Sequence, residues 1–351
     1  MLKEKRYLCL AILLFLPLYL TAYETNTDLV NDKIKATKSF SKEEAARNNY
    51  GSYSNPQIRE PSLRDSGRNG TLLFINKSTF RFVEDIGFYV PKLVVALKAN
   101  NPADPVIFDD PASFSITPLQ GEVVLSGAAL EALMNKYVFA FENAPLRGIT
   151  VSTQDNLFIL GGEMNRRNVW VPFSMEGTLT LSEGHILKYV PHVVIVDGND
   201  AGKVLKAANV RLDELLTVHA TGADLVGSTI VLDTLLLFPP PKLHLNIATA
   251  NVEKRGLVLT FNESENPEFP ASLTKADSSM IVKGGDVKFL RTMPVNALAE
   301  FQSLTEGKEF DFNLYHYREQ LAAGYLKLRE DGAIMAYMRN YNEMEKVEDE
   351  K

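Results

Sequence analysis

Cysteine is almost absent from this chain of 351 residues: the single copy, Cys9, lies in an apolar N-terminal run. No disulfide can form within the chain, and no cluster of thiolates can hold a metal. The five histidines show no i, i+4 pairing beside a carboxylate of the kind that binds zinc. The sequence therefore predicts neither a metal site nor a bound cofactor.

Catalytic signatures are also missing, since there is no Gly-x-Ser-x-Gly turn and no Walker-type phosphate loop. The adjacent Asp109 and Asp110 would suit a calcium or acid–base site, or an Asx-type turn before Pro111. The turn is the favoured interpretation, because no second acidic cluster lies nearby. No catalytic residue is assigned, and a hydrolase that uses scattered acid–base residues is the least favoured hypothesis.

Basic clusters are lacking too. The chain has 37 Lys and Arg against 44 Asp and Glu, a formal net charge of -7. Phosphate binding requires clustered Lys and Arg, so this balance argues against nucleic acid as a partner. It also argues against attraction to acidic membranes through bulk charge.

The one long apolar run lies at the N-terminus. A mostly basic segment, residues 3–6, precedes the 13 apolar residues 8–20, and the chain turns polar after Ala22. This order is typical of a secretory signal peptide, and the run is shorter than the roughly 20 residues of a membrane-spanning helix. Residues 1–22 are predicted to be a signal peptide or an uncleaved N-terminal anchor. The protein is therefore predicted to be exported and periplasmic or envelope-associated.

Composition divides the rest of the chain into three parts. Residues 23–68 have few large apolar side chains and no lasting period, so we expect a flexible linker. Residues 69–342 are predicted to form a single β-rich domain, long enough for one large core. Residues 343–351 are predicted to be an acidic tail that frays.

Period-two alternation dominates the predicted domain. Runs such as TLLFINKSTFRFV and GFYVPKLVVALKA indicate strands, with Pro91 suited to a strand start or an edge. Short turns, among them Asp331-Gly332, join the runs into hairpins, which pair antiparallel. The predicted fold class is α+β and β-rich: a large curved antiparallel sheet with a few helices packed on one face.

Three stretches change to helical spacing. In residues 126–139 an apolar stripe follows Ser126, a candidate N-cap. Residues 200–218 are predicted to form two short helical pieces. Residues 311–325 are predicted to form one helix that leads into the last hairpin.

The run TLLLFPPPK, residues 234–242, places four large apolar side chains directly before three prolines. Asp233 can cap one helical turn, which the prolines then end. Consecutive residues of such a turn point in different directions, so these side chains cannot all face one core. Two interpretations stay open: a neighbouring loop covers the outward ones, or they form an apolar lip where an acyl chain enters.

Four motifs resemble those of a family of exported bacterial proteins of unestablished function. They are MNKYVFAFENAPL, VPFSMEGTLTLSEGHI, LFPPP and FDFNLYHYREQLAAGY, and the resemblance covers roughly residues 90–341. The strand order around VPFSMEGTLTLSEGHI is also similar, more remotely, to that of LmeA-like envelope phospholipid-binding proteins. That resemblance implies a long curved sheet around a helix, as in tubular lipid-binding domains, with an apolar trough on its inner face.

The favoured hypothesis is an exported envelope protein that binds or handles a lipid or another apolar small molecule without catalysis, with a membrane surface as a further partner. The alternative is an envelope protein-interaction or scaffolding module, and a fully packed core would fit the same alternation. On the trough hypothesis, the apolar lining or lip includes Leu130, Met134, Tyr137, Trp170, Phe173, Leu236, Leu237 and Phe238.

Overall fold

A computed structural model describes residues 70–344 apart from 84–85, 167, 209, 215–217, 263–266 and 290–295. The predicted signal or anchor segment (1–22) and the predicted linker (23–68) lie outside the described residues. The acidic tail beyond residue 344 lies outside them as well. No helix within the described part of the chain is long and apolar enough to cross a membrane.

Strands make up most of the described chain. In chain order they are β1 (Thr71–Val83), β2 (Ile86–Ala99), β3 (Val106–Ile107), β4 (Phe114–Leu125), β5 (Leu146–Gln154), β6 (Leu157–Arg166), β7 (Val169–Ser182), β8 (Ile186–Val196), β9 (Asn199–Asp200), β10 (His219–Ala220), β11 (Ala223–Val226), β12 (Thr229–Asp233), β13 (Lys242–Leu243), β14 (Thr249–Glu253), β15 (Gly256–Asn262), β16 (Ser279–Lys283), β17 (Val287–Lys288), β18 (Leu298–Ser303), β19 (Phe310–Asn313), β20 (Tyr325–Leu328) and β21 (Ile334–Met338). The α-helices are α1 (Gly127–Leu133), α2 (Ala201–Ala208) and α3 (Tyr317–Ala322). Single turns of 3-10 or π type are Pro111–Ser113, Met134–Val138, Leu212–Glu214 and Tyr341–Glu343.

Two large sheets hold nearly all of these strands. The first sheet has the order β14-β15-β4-β2-β1-β16-β18-β21-β20, with β13 beside β4 and β19 beside β1. The second sheet has the order β10-β11-β12-β8-β7-β6-β5, with β9 beside β8. Most neighbours are antiparallel, as the hairpin turns require. The predicted β-rich class with large antiparallel sheets and few helices is therefore confirmed.

Apolar side chains are buried on both faces of the central strands of the first sheet. One face carries Phe74, Val94, Leu119 and Ile281, with Phe269 packed against them. The opposite face belongs to the main hydrophobic core, which continues across the inner face of the second sheet. The alternation along β1 and β2 makes this possible, because successive side chains of a strand point to opposite faces.

The residues that face the main core change from odd to even numbers midway along β1, and from even to odd numbers midway along β2. Lys77 has a left-handed φ of 44°, and the pairing of β2 with β4 shifts between Tyr89 and Lys92, on either side of Pro91. Because proline donates no hydrogen bond, it is tolerated inside a sheet at such a bulge. The expectation of an edge or strand-start position for Pro91 was wrong, since β2 lies between β1 and β4.

Helix α1 covers the edge of the second sheet at β5. Asn135, in the π turn after α1, donates 2.7 Å to the Ile149 carbonyl and accepts 2.8 Å from the Ile149 N–H. Glu131 accepts 2.9 Å from the Val151 N–H. These side chains satisfy the backbone groups that an edge strand would otherwise expose. At the N-terminus of α1, the Ser126 hydroxyl accepts from the Ala129 N–H, so the predicted N-cap is confirmed.

Helix α3 is much shorter than predicted. Residues 310–313 form strand β19, parallel to β1, where the sequence pattern predicted helix from residue 311. The Asp311 carboxylate receives two hydrogen bonds from the Arg81 guanidinium, 2.7 and 2.9 Å. Strand pairing and this ion pair outweigh the local helical spacing, since propensity is a weak prior beside tertiary contacts. The two short helical pieces within residues 200–218 are confirmed as α2 and the turn Leu212–Glu214.

Candidate functional site

An apolar cavity of about 40 Å³ lies between the first sheet and residues 234–247, here called the cover segment. Among the residues that the structure describes, no polar side chain lines it. The lining residues come from β1, β2, β4, β15 and the cover segment: Leu73, Ile75, Phe80, Phe82, Phe88, Leu93, Val95, Ile116, Pro118, Val123, Leu125, Phe238, Leu243, Leu245, Leu259 and Phe261. Such a lining can hold an apolar group but offers no hydrogen bond to a polar one.

The cover segment contains the run of leucines and prolines. Leu237 is buried, with 3% of its surface exposed, whereas Leu236 is 51% exposed. Phe238 lines the cavity, and its ring centre lies 6.0 Å from that of Phe82. The three side chains thus take three different environments, as one turn of chain requires. The turn is not helical, although the Asp233 carboxylate caps it by accepting 3.0 Å from the Leu235 N–H.

Backbone hydrogen bonds hold the cover segment at both sides. On the second sheet, the Thr234 N–H and hydroxyl donate to the His185 carbonyl at 3.0 and 2.8 Å. Farther along, the Ile247 N–H donates 2.7 Å to the Gly184 carbonyl. On the first sheet, β13 pairs with β4, and the His244 N–H donates 2.9 Å to the Ile116 carbonyl. The cover segment therefore bridges the two sheets.

A tyrosine side chain fixes the middle of the cover segment. The Tyr315 hydroxyl donates 2.8 Å to the Pro240 carbonyl. Burial raises the pKa of Tyr315, and the neighbouring Tyr137 and Asp110 add to the rise. Burial also raises the pKa of Tyr137. Both phenols are therefore neutral near neutral pH, and they are not poised as general bases.

The eight residues predicted to form a lining or lip are spread over the molecule. Of them, Phe238 lines the cavity. Leu130, Met134, Phe173 and Leu237 are buried in the main core, with Tyr137 packed against it. Leu236 is exposed on the cover segment, and Trp170 lies partly buried on β7.

The adjacent Asp109 and Asp110 have separate structural partners. The Asp110 carboxylate accepts 3.2 Å from the Ala112 N–H, which is the predicted Asx-type turn. The Asp109 carboxylate accepts from the Tyr317 hydroxyl and, at 2.8 Å, from the Arg318 Nε. Burial opposes the charge of Arg318, but the hydrogen bond and charge of Asp109 outweigh it and raise the Arg318 pKa. These contacts attach α3 to the loop before β4.

The histidines form no catalytic or metal-binding group in the part of the chain that the structure describes. His185 and His192 contact the Glu183 carbonyl (2.8 Å) and the Thr178 hydroxyl (3.0 Å). His316 lies 4.0 Å from the Glu319 carboxylate, beyond hydrogen-bond distance. Within the described ranges, no three His, Cys, Asp or Glu side chains are arranged to hold a metal ion.

Most of the cavity lining was missed at the level of sequence. Thirteen of the sixteen lining residues lie on β1, β2, β4 and β15, outside the cover segment. The alternation of apolar residues along each strand indicates an apolar face, and this is the information that the sequence contains about the lining. The alternation does not show that β15 pairs with β4, or that the cover segment crosses this face, because both depend on long-range pairing.

No protein-family model, curated protein or solved structure matches the chain in the three comparisons.

Proposed function

We propose that this protein binds an apolar ligand, a lipid acyl chain or a molecule of similar chemistry, beneath the cover segment and without catalysis. The observation that carries the proposal is the wholly apolar lining of the cavity. The exported, envelope-associated location is predicted from residues 1–22 and belongs to the same proposal. Each methylene group that leaves water contributes about 0.8 kcal/mol to binding.

The cavity must enlarge to hold such a ligand. Its volume of about 40 Å³ is smaller than the roughly 150 Å³ of an engineered cavity that binds benzene. We expect the cover segment to move when a ligand binds, because the Phe238 side chain extends from it into the cavity. Displacement of the Phe238 ring would enlarge the apolar space between the face of the first sheet and the cover segment. Under this proposal, the polar end of the ligand stays outside, since the lining offers it no hydrogen bond.

Two neighbouring valines provide a matched test. Val95 lines the cavity, whereas Val94 packs on the opposite face of the same strand. In calorimetric titrations with palmitate, we expect Val95→Leu to weaken binding by at least about fourfold, the value of one methylene. Val94→Leu should leave the affinity unchanged and lower stability by about 1–3 kcal/mol through overpacking. Absence of palmitate binding to the unaltered chain, or equal affinities for both variants, would refute the proposal.

A second candidate function, self-association at β20, rests on a different observation. β20 ends the first sheet, and all four of its residues are exposed, with Leu326 at 52% and Leu328 at 75%. An exposed edge strand with unpaired backbone groups can act as a template for another strand. Antiparallel pairing with a second copy, centred on Leu326, would place Tyr325 opposite Lys327. A lysine opposite a tyrosine can form a cation–π contact. Within one chain, the Lys327 Nζ already lies 5.5 Å from the Tyr325 ring centre.

Sedimentation at several protein concentrations tests the second candidate. We expect a concentration-dependent dimer that Leu326→Lys abolishes by placing like charges at the strand pair. Val226→Lys, which changes a residue that is 62% exposed on the second sheet, serves as the control. A monomer at all concentrations, or a dimer that Leu326→Lys leaves intact, contradicts it.

A further inference from the structure

One end of the outer face of the first sheet, the face turned away from the main core, carries exposed lysines. On β4, Ser115 points outward, because its neighbours Phe114 and Ile116 belong to the main core. Ser115 pairs in register with Lys98 of β2 on one side and with Lys242 of β13 on the other. Residues in register share a face, so both lysines point outward, two strand spacings or about 10 Å apart.

The adjoining row of the same face adds a third lysine and a histidine. Lys283 of β16 pairs with Leu72 of β1, which packs on the outer apolar cluster, so Lys283 points outward as well. His244 continues the ladder of β13 through its N–H and points outward like Lys242, two residues earlier. All of these side chains are exposed. The set is here called the basic end: Lys98, Lys242, His244 and Lys283.

The lysines of the basic end keep their charge unpaired. Within the described part of the chain, none of the three forms an ion pair, whereas Lys77 of β1 pairs with Asp277 at 2.7 Å. Asp286, only three residues after Lys283, forms no ion pair with it either. The chain as a whole is acidic, with a net charge of -7, so attraction for an anionic partner has to come from a local cluster of this kind.

The chain enters the first sheet at the basic end. Thr71, the first residue of β1, pairs with Leu97, which directly precedes Lys98. Residues 1–69 lie outside the described residues and include the predicted signal or anchor segment. A membrane segment there would be joined to the domain beside these lysines. Stable membrane attachment commonly takes two signals, and a polybasic patch is one of them.

We propose that the basic end is a docking surface for an anionic lipid bilayer, in which its three lysines contact lipid phosphates. Charge complementarity and the entry of residues 1–69 at this end favour a bilayer over a soluble anion. The inference goes beyond ligand binding at the cavity and does not depend on it. It places the cover segment at the membrane, since Lys242 and His244 point away from the cavity that their neighbour Leu243 lines.

Acetylation of exposed amines tests the contact lysine by lysine. The full chain is mixed with phosphatidylcholine vesicles, with and without phosphatidylglycerol, and mass spectrometry measures the rate at which an acetylating reagent modifies each side chain. We expect phosphatidylglycerol to slow the reaction several-fold at Lys98, Lys242 and Lys283. Lys188 of β8 and Lys206 of α2, both exposed, are the internal control and should react equally fast with either vesicle. Attachment through residues 1–69 alone would slow neither set selectively.

Charge removal provides the matched comparison. Lys98→Gln with Lys242→Gln should lower the ratio of vesicle affinities, with and without phosphatidylglycerol, by a factor of about five for each lysine removed. Lys188→Gln with Lys206→Gln makes the same change of charge elsewhere and should leave the ratio nearly unchanged.

Two results would overturn the proposal. Equal losses of affinity in both double variants would mean that bulk charge is responsible. Acetylation rates at the basic end that do not respond to phosphatidylglycerol, but fall with soluble polyphosphate, would indicate an anionic polymer as the partner. Palmitate binding is measured without vesicles, so failure at the cavity and failure at the basic end are distinguishable.

Discussion

The Tyr315 hydroxyl donates a 2.8 Å hydrogen bond to the carbonyl of Pro240 and so joins the start of α3 to the cover segment. The prolines at 239–241 have no backbone N–H to donate. The Tyr315 side chain instead supplies a hydrogen bond to this stretch from a distant part of the chain. The contact links the two motifs LFPPP and FDFNLYHYREQLAAGY, which lie about 70 residues apart in the chain.

Tyr315→Phe keeps the ring and removes this hydrogen bond. We expect the free energy of unfolding to fall by about 1–2 kcal/mol at neutral pH, since a partly buried carbonyl loses its donor. Urea unfolding measures this loss. Tyr325→Phe, which removes a hydroxyl from the exposed strand β20, is the control and should change little. Equal stability of the Tyr315 variant and the unaltered chain would show that the contact does not hold the cover segment.

The raised pKa of Tyr315 also predicts a pH dependence. Above about pH 10, the ordinary tyrosine value, the unfolded chain releases a proton that the folded chain retains. The unfolded state then binds fewer protons, so stability falls as the pH rises above about 10. Tyr315→Phe should reduce the slope of melting temperature against pH in this range. An unchanged slope would mean that Tyr315 does not contribute.

Two adjacent leucines of the cover segment are expected to differ in how much their substitution lowers the stability of the fold. Leu237→Ala should lower the free energy of unfolding by about 2–5 kcal/mol, because its side chain is 3% exposed and leaves a cavity. Leu236→Ala should change it by less than about 1 kcal/mol, because half of that side chain is in solvent. Chemical unfolding of both variants checks this. A larger loss for Leu236 would reverse the assignment of core and surface.

Buried Glu300 holds a loop on the outer face of the first sheet. Its carboxylate accepts from the Ser272 hydroxyl (2.9 Å) and from the N–H groups of Leu273 (2.6 Å) and Thr274 (3.0 Å). Glu300→Gln should cost about 1.5–3 kcal/mol and speed hydrogen exchange at these two amides. Glu306→Gln, at an exposed position, is the matched control. Exchange that stays slow in the Glu300 variant would show that the loop is held by its apolar contacts.

The turn after α1 separates a buried position from an exposed one. Met134 is 8% exposed in the main core, whereas Lys136 is exposed. Met134→Asp places a charge among apolar neighbours and should destabilise by more than about 3 kcal/mol. Lys136→Asp should change the melting temperature only slightly. Similar melting temperatures for the two variants would mean that the apolar stripe faces elsewhere.

Features that depend on a few neighbouring residues could be predicted from the sequence. The Ser126 cap, the hairpin turns and the two short helices within residues 200–218 each follow from local backbone chemistry. Alternation also predicted the β-rich class, because successive side chains of a strand point to opposite faces and so leave a period of two in the order of apolar and polar residues. For the cover segment, the sequence established that its apolar residues cannot share one environment.

Only the tertiary structure decided how these elements combine. It divided the strands between two sheets, placed β19 beside β1 in a region of helical spacing, and set Phe238 in the cavity while burying Leu237 elsewhere. Each outcome joins residues far apart in the chain, where many pairings satisfy the same alternation. Packing contacts and long-range hydrogen bonds favour one of these pairings. They form only when distant parts of the chain meet, so no local sequence pattern encodes them.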